Sequence, residues 1–99
     1  MTDAADLGTI ARRAIVCLDL TDLDEACDAD AIATLCRRAQ TPHGSVAAVC
    51  VWPRFVAQAA RDLAHTGVHV TTVVNFPSGE EPLEVVVAAT RAALADGAN

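Results

Sequence analysis

The sequence predicts an α/β protein built on a parallel sheet. Three observations carry that expectation. Apolar runs alternate with stretches of helical periodicity, in the order strand, helix, strand, helix, strand, helix. The strands begin at a steady rhythm, near residues 15, 46 and 68. The middle run, "VAAVCV", has no polar alternation, which suits a strand buried on both faces of a parallel sheet.

Each element has its own signal. A short first helix is expected over Asp3 to Arg13, weakened by Gly8. Ile15 to Leu20 reads as strand one, with Asp19 set inside an otherwise apolar run. The acidic loop "TDLDEACD" follows, and Asp28 is placed to cap the next helix. Ile32, Leu35, Cys36 and Ala39 recur at helical spacing, so Ala29 to Gln40 reads as helix two, broken by "TPHGS".

Strand two covers residues 46–51. Pro53 suits the first position of helix three. Its apolar stripe is Phe55, Val56, Ala59, Ala60 and Leu63, and Gly67 ends it. Residues 68–75, "VHVTTVVN", are rich in β-branched side chains and read as strand three. After the loop "FPSGEEP", Leu83, Val86, Val87, Thr90 and Leu94 mark helix four. Glu84 lies in its first turn, where the helix dipole favours an acid, and Gly97 is its expected C-cap. The rhythm then calls for a fourth strand after Gly97, so residues 1–99 read as a single partial domain.

Composition narrows the function classes. The 99 residues are 53% hydrophobic and 20% charged, a core-forming balance. A net charge of -6 argues against nucleic acid and against an anionic membrane surface as partners. All seven basic residues are arginine, which leaves the N-terminus as the sole primary amine. Cys17, Cys27, Cys36 and Cys50 have no C-x-x-C spacing. Cys17 and Cys50 sit in apolar strand-like runs and Cys36 on a helix stripe, so buried free thiols are expected. The acidic N-terminus has no apolar signal region, and no run reaches membrane-span length. A soluble protein of a reducing, cytoplasmic compartment is expected.

In α/β folds, chemistry gathers at the carboxyl ends of the strands. Those ends carry Asp19 and Thr21, then Cys50, Trp52 and Pro53, then Asn75, Phe76 and Pro77. An unpartnered buried carboxylate is costly. Asp19 therefore either faces a polar pocket at the reactive end, or caps a loop or pairs with an arginine. His43, His65 and His69 fall before strands, on the opposite face, where no metal site is expected. The acids Asp22, Asp24 and Glu25 read as a solvated loop, and the isolated glycines make no phosphate loop.

The motifs "LDLTDL", "TPHGSVAAVCVWPRF", "TTVVNFPSG" and "ATRAALADGAN" follow one another with the spacing of deoxyribose-phosphate aldolases. The sequence resembles the bacterial branch of that family from Ile15 onward. The resemblance implies the N-terminal part of a TIM (β/α)8 barrel, roughly its first three βα units. It implies a class I aldolase that reversibly cleaves 2-deoxyribose 5-phosphate to acetaldehyde and glyceraldehyde 3-phosphate through a lysine Schiff base, with no cofactor or metal. Asp19 is similar to the family's proton-relay aspartate. Thr21, Leu23, Cys50 and Phe76 are similar to substrate-pocket residues.

The family's lysines, its strand-four aspartate and its phosphate-binding residues lie further along and have no counterpart here. Covalent carbonyl catalysis needs an amine of lowered pKa. The chain alone is therefore expected to be inactive: a fragment, or one half of a split enzyme whose second chain supplies the rest. The completed site would take a phosphorylated sugar or aldehyde. Open sheet edges predict self-association or a homo-oligomer. A non-catalytic α/β binding or assembly module, and a remnant without function, are the alternatives.

Overall fold

The computed structural model describes residues 4–99. The elements run α1 (Ala4–Ile15), β1 (Asp19–Asp22), α2 (Ala29–Arg38), β2 (Gln40–Thr41), β3 (Gly44–Ser45), β4 (Ala48–Val51), a 3-10 turn (Pro53–Phe55), α3 (Val56–Asp62), β5 (His69–Thr72) and α4 (Leu83–Asp96). β1, β4 and β5 form one parallel sheet in the order β1-β4-β5. The uninterrupted apolar run is thus the central strand, as its composition requires. β2 and β3 pair as a small antiparallel hairpin.

The register aligns Asp19 with Ala48 and His69, and Thr21 with Cys50 and Thr71. Side chains alternate along a strand, so in-register residues share a face. Val49, Val51 and Val70 point to one face and are buried there with Ile32, Leu35 and Cys36 of α2 and Val56 and Ala59 of α3. On the other face Asp19, Thr21 and His69 are exposed, and Cys50 and Thr71 are half-buried.

The capping signals hold. The Asp28 carboxylate accepts from the Ala31 amide at 2.8 Å, satisfying one of the free N–H groups at the start of α2. Gly97 ends α4 in the left-handed region with φ 114°. A Cβ there would lie 2.8 Å from the Ala60 Cβ, so glycine also lets α4 close on α3.

Several boundaries differ from the sequence reading. The first helix continues to Ile15: Val16 N–H donates to Arg12 O and Leu18 N–H to Ile15 O. Strand one is therefore Asp19–Asp22 and not Ile15 to Leu20. The apolar run Ile15 to Leu18 is a helix end and turn whose partner strand begins only at Ala48. Cys17 is exposed there, against the expectation of a buried thiol; Cys36 is buried as expected and Cys50 half-buried.

α2 stops at Arg38, and "TPHGS" folds into the hairpin turn. The Thr41 hydroxyl donates to Gly44 O at 2.6 Å and accepts from the His43 amide. Pro53 opens a 3-10 turn and α3 ends at Asp62, ahead of Gly67. Strand three keeps only His69–Thr72, because β4 has given way to the turn at Pro53 and leaves Val73 onward without a ladder partner.

The expected stripe of helix four splits in two. Ala93 is the buried residue, at 4% exposure, while Leu83 (75%), Val87 and Leu94 (57%) are exposed. That helix has more apolar surface than one packing partner covers.

Candidate functional site

The open face of the sheet brings together five polar or nucleophilic side chains. Asp19, Thr21, Cys50, His69 and Thr71 share it, with Thr21, Cys50 and Thr71 in one register row. Asp19 begins β1 at the level of His69; it does not sit at the carboxyl end of its strand. That corrects both the expected height of the aspartate and its expected separation from the histidines. The shift follows from the strand boundary: α1 runs two residues past its expected end at Arg13, and β1 starts at Asp19, four residues after the expected strand start at Ile15.

Asp19 is exposed, so no buried carboxylate needs rescue. Its partner is neither Thr21 nor an arginine. The Asp19 Oδ2 lies 3.4 Å from the Thr71 Oγ1, across the full width of the sheet. Thr71 also reaches the Val49 carbonyl at 2.9 Å. A hydroxyl has one proton to donate and two lone pairs to accept with. Its one proton can go to the Val49 carbonyl or to the Asp19 carboxylate, so the hydroxyl joins the two across the sheet.

The other expected residues lie higher. Leu23 follows β1 and is half-buried. Phe76 is 48% exposed in the loop after β5 and meets Trp52 edge-on, with centroids 5.8 Å apart. The Trp52 indole donates to the Asp24 carbonyl at 3.1 Å and so pins the β1–α2 loop to the end of β4. Arg54 stacks over the Trp52 and Phe55 rings. Asn75, with φ 54°, turns the chain out of the sheet, and its side chain accepts from the Glu81 amide at 2.8 Å. A small groove of about 170 Å³ opens between Trp52, Val73, Asn75 and Phe76.

Thr71 is the site residue that sequence reasoning missed. A signal existed: counting two residues on from His69, at the strand start, places Thr71 on the face of Asp19. Threonine in a β-branched run carries no chemical mark of its own, however. Cys27 was also passed over. Desolvation, reinforced by its hydrogen bond to Asp22 and the charge of that carboxylate, pushes its thiol up to about 11. It is protonated at neutral pH and a poor nucleophile.

No family model matches the chain. Over 84 residues, 83% of its length, it is 55% identical to the deoxyribose-phosphate aldolase of Agrobacterium fabrum. The chain is a relative of deoxyribose-phosphate aldolase. It spans about a third of that enzyme's length, 32%. A Coccidioides immitis structure, provisionally described as a deoxyribose-phosphate aldolase, superposes with a TM-score of 0.76 at 27% identity, over 94% of this chain and 44% of that one. A deoxyribose phosphate aldolase from Aeropyrum pernix, described as a tetramer, shares the fold with a TM-score of 0.79 at 24% identity, over 88% and 36%. The parallel βα units are similar to those of these aldolase structures, of which this chain spans 44% and 36%.

Proposed function

We propose that this chain forms the first βα units of a deoxyribose-phosphate aldolase barrel and contributes one wall of its substrate pocket. The observation that supports the reading is the coincidence of two things. The sequence is 55% identical to an aldolase. Its sheet also presents Asp19, Thr21 and Cys50 together on the face opposite the packed core. In this reading Asp19 belongs to the proton relay, with Thr71 as its hydroxyl partner. Thr21, Leu23, Cys50 and Phe76 contact a phosphorylated sugar or aldehyde.

The amine that attacks the carbonyl must come from outside these 99 residues, none of which is lysine. Condensation with that amine forms an iminium ion and releases water. The iminium then accepts the electron pair of the breaking carbon–carbon bond, which is why such an aldolase requires no metal. The chain alone is accordingly inactive and needs the remaining strands, supplied by a further polypeptide segment. The free cysteines fit a reducing, cytoplasmic compartment, and the open sheet face fits assembly with other chains.

Borohydride reduction with acetaldehyde tests this directly. The chain by itself should give no internal adduct, only labelling at Met1. Co-produced with the part of the Agrobacterium fabrum aldolase that it does not match, it should support cleavage of deoxyribose 5-phosphate. In that complex Asp19→Asn should slow turnover by about a hundredfold, as loss of a proton-transfer group does. Steady turnover by the isolated chain would overturn the proposal.

A further inference from the structure

Trp52 lies where three segments meet at the carboxyl end of the sheet. It directly follows β4 and is half-buried. Its indole Nε1–H donates to the Asp24 carbonyl at 3.1 Å, in the loop between β1 and α2. Its ring meets the Phe76 ring, in the loop after β5, at an interplanar angle of 61°. β1 and β5 are the two outer strands, so these loops rise from opposite edges of the sheet with the central strand between them.

Each loop is tied together from within. In the first, the Asp22 carboxylate accepts from the Asp24 amide at 3.1 Å and the Asp24 carboxylate from the Ala26 amide at 2.8 Å. The Cys27 amide donates to the Asp24 carbonyl at 3.1 Å, and the second lone pair of that oxygen takes the indole. In the second, the Asn75 side chain accepts from the Glu81 amide at 2.8 Å and the Asn75 carbonyl from the Gly79 amide at 2.9 Å. The Ser78 hydroxyl accepts from the Glu80 amide. A loop closed by its own hydrogen bonds keeps little freedom inside itself, and what is left is motion against the sheet. Trp52 touches both loops.

We propose that Trp52 is a positioning residue: it couples the β1–α2 loop to the loop after β5 and so sets the spacing of Leu23 and Phe76 across the mouth of the open sheet face. The coupling has two parts of different chemistry. The indole N–H holds the backbone one residue beyond Leu23 by a directional bond. The ring holds Phe76 by an edge-to-face contact that any aromatic residue supplies. Phenylalanine at this position keeps the second part and loses the first. The proposal rests on the aldolase reading only for the ligand, a phosphorylated sugar or aldehyde held between the two loops.

Trp52 is the sole tryptophan of the chain, so nitrogen-15 spectra contain one indole N–H resonance. Hydrogen exchange is measured on the full chain and its variants. Phe76→Ala leaves the Asp24 carbonyl in place, yet it should speed exchange of the indole N–H by about threefold or more, the worth of an aromatic pair. The Cys27 amide should follow in the same direction. Trp52→Phe should speed the Cys27 amide by about fivefold, the worth of one hydrogen bond, while the Val49 amide of the central strand keeps its protection. In the double variant, Phe76→Ala should no longer act on Cys27, because the link between the loops is already gone. An indole indifferent to Phe76→Ala would overturn the proposal. So would a Cys27 amide that answers to Phe76→Ala as strongly without the indole as with it. Loss of Val49 protection in Trp52→Phe would also overturn it, by making the indole a contact of the whole fold. None of these measurements uses activity. Coupled loops in a chain that fails the borohydride and cleavage tests keep the positioning role and sink the aldolase reading. Cleavage with uncoupled loops does the reverse.

Discussion

The two faces of the sheet come from the same twelve residues yet behave as different materials. Val49, Val51 and Val70 lie in a core closed by α2 and α3, and among the described residues no polar side chain is buried with them. One residue away along each strand, Asp19, Thr21, Cys50 and Thr71 carry hydroxyls, a thiol and a carboxylate on an open surface. A packed and an open surface are thus separated by strand parity alone. Substitutions on the first face are expected to act on folding. Those on the second should act on whatever the face binds.

The sharpest way to break that comparison is to exchange characters. Val49→Asp places an unpaired carboxylate in the fully buried row and should cost several kcal/mol, on the order of the whole stability of a small domain. No cooperative unfolding transition should then be seen by calorimetry. Thr21→Val on the open face should shift the melting free energy by no more than about 0.5 kcal/mol. Comparable losses in the two variants would show that both faces are packed.

The closure of α4 on the core comes next. Gly97→Ala meets both a left-handed φ and the Ala60 Cβ at 2.8 Å. A loss of about 1–3 kcal/mol is expected in chemical denaturation. If the loss is near zero, α4 does not need its close contact with α3. Asp28→Ala should cost about 1 kcal/mol by removing the cap of α2, and Asp28→Asn should recover most of it.

The smallest effect concerns the buried thiol of the core face. Desolvation pushes Cys36 from 9.0 up to about 11. The folded chain holds the proton that the unfolded chain gives up, so stability from this group is complete below pH 9 and fades as the pH rises towards 11. Cys36→Ala should flatten that alkaline decline in pH-dependent melting, at the cost of a small cavity. An unchanged decline would assign it to other groups.

Much of the architecture is legible in the residues. The parallel order β1-β4-β5 follows from one uninterrupted apolar run between two strands linked by helices. The ends of α2 and α4 follow from Asp28 and Gly97, whose side-chain chemistry acts within a single turn. Thr21 and Cys50 were placed beside Asp19 by motif and do share its face. Phe76 was placed with them and stands apart, against Trp52. The height of Asp19 was misjudged because "IVCL" is as apolar as a strand, while nothing local says that α1 will continue through Ile15.

Sequence by itself determined the alternation of elements, their caps, the central strand and the absence of an internal amine, because periodicity, capping and composition are short-range or global properties. Tertiary structure alone decided where β1 and β5 begin and end, since a strand lasts only as long as its neighbour's ladder. It alone gave Asp19 the Thr71 hydroxyl as partner, because that contact joins residues 52 positions apart. It alone showed which stripe of α4 is covered. A helix that is apolar on two sides carries no mark of which side its own chain will cover.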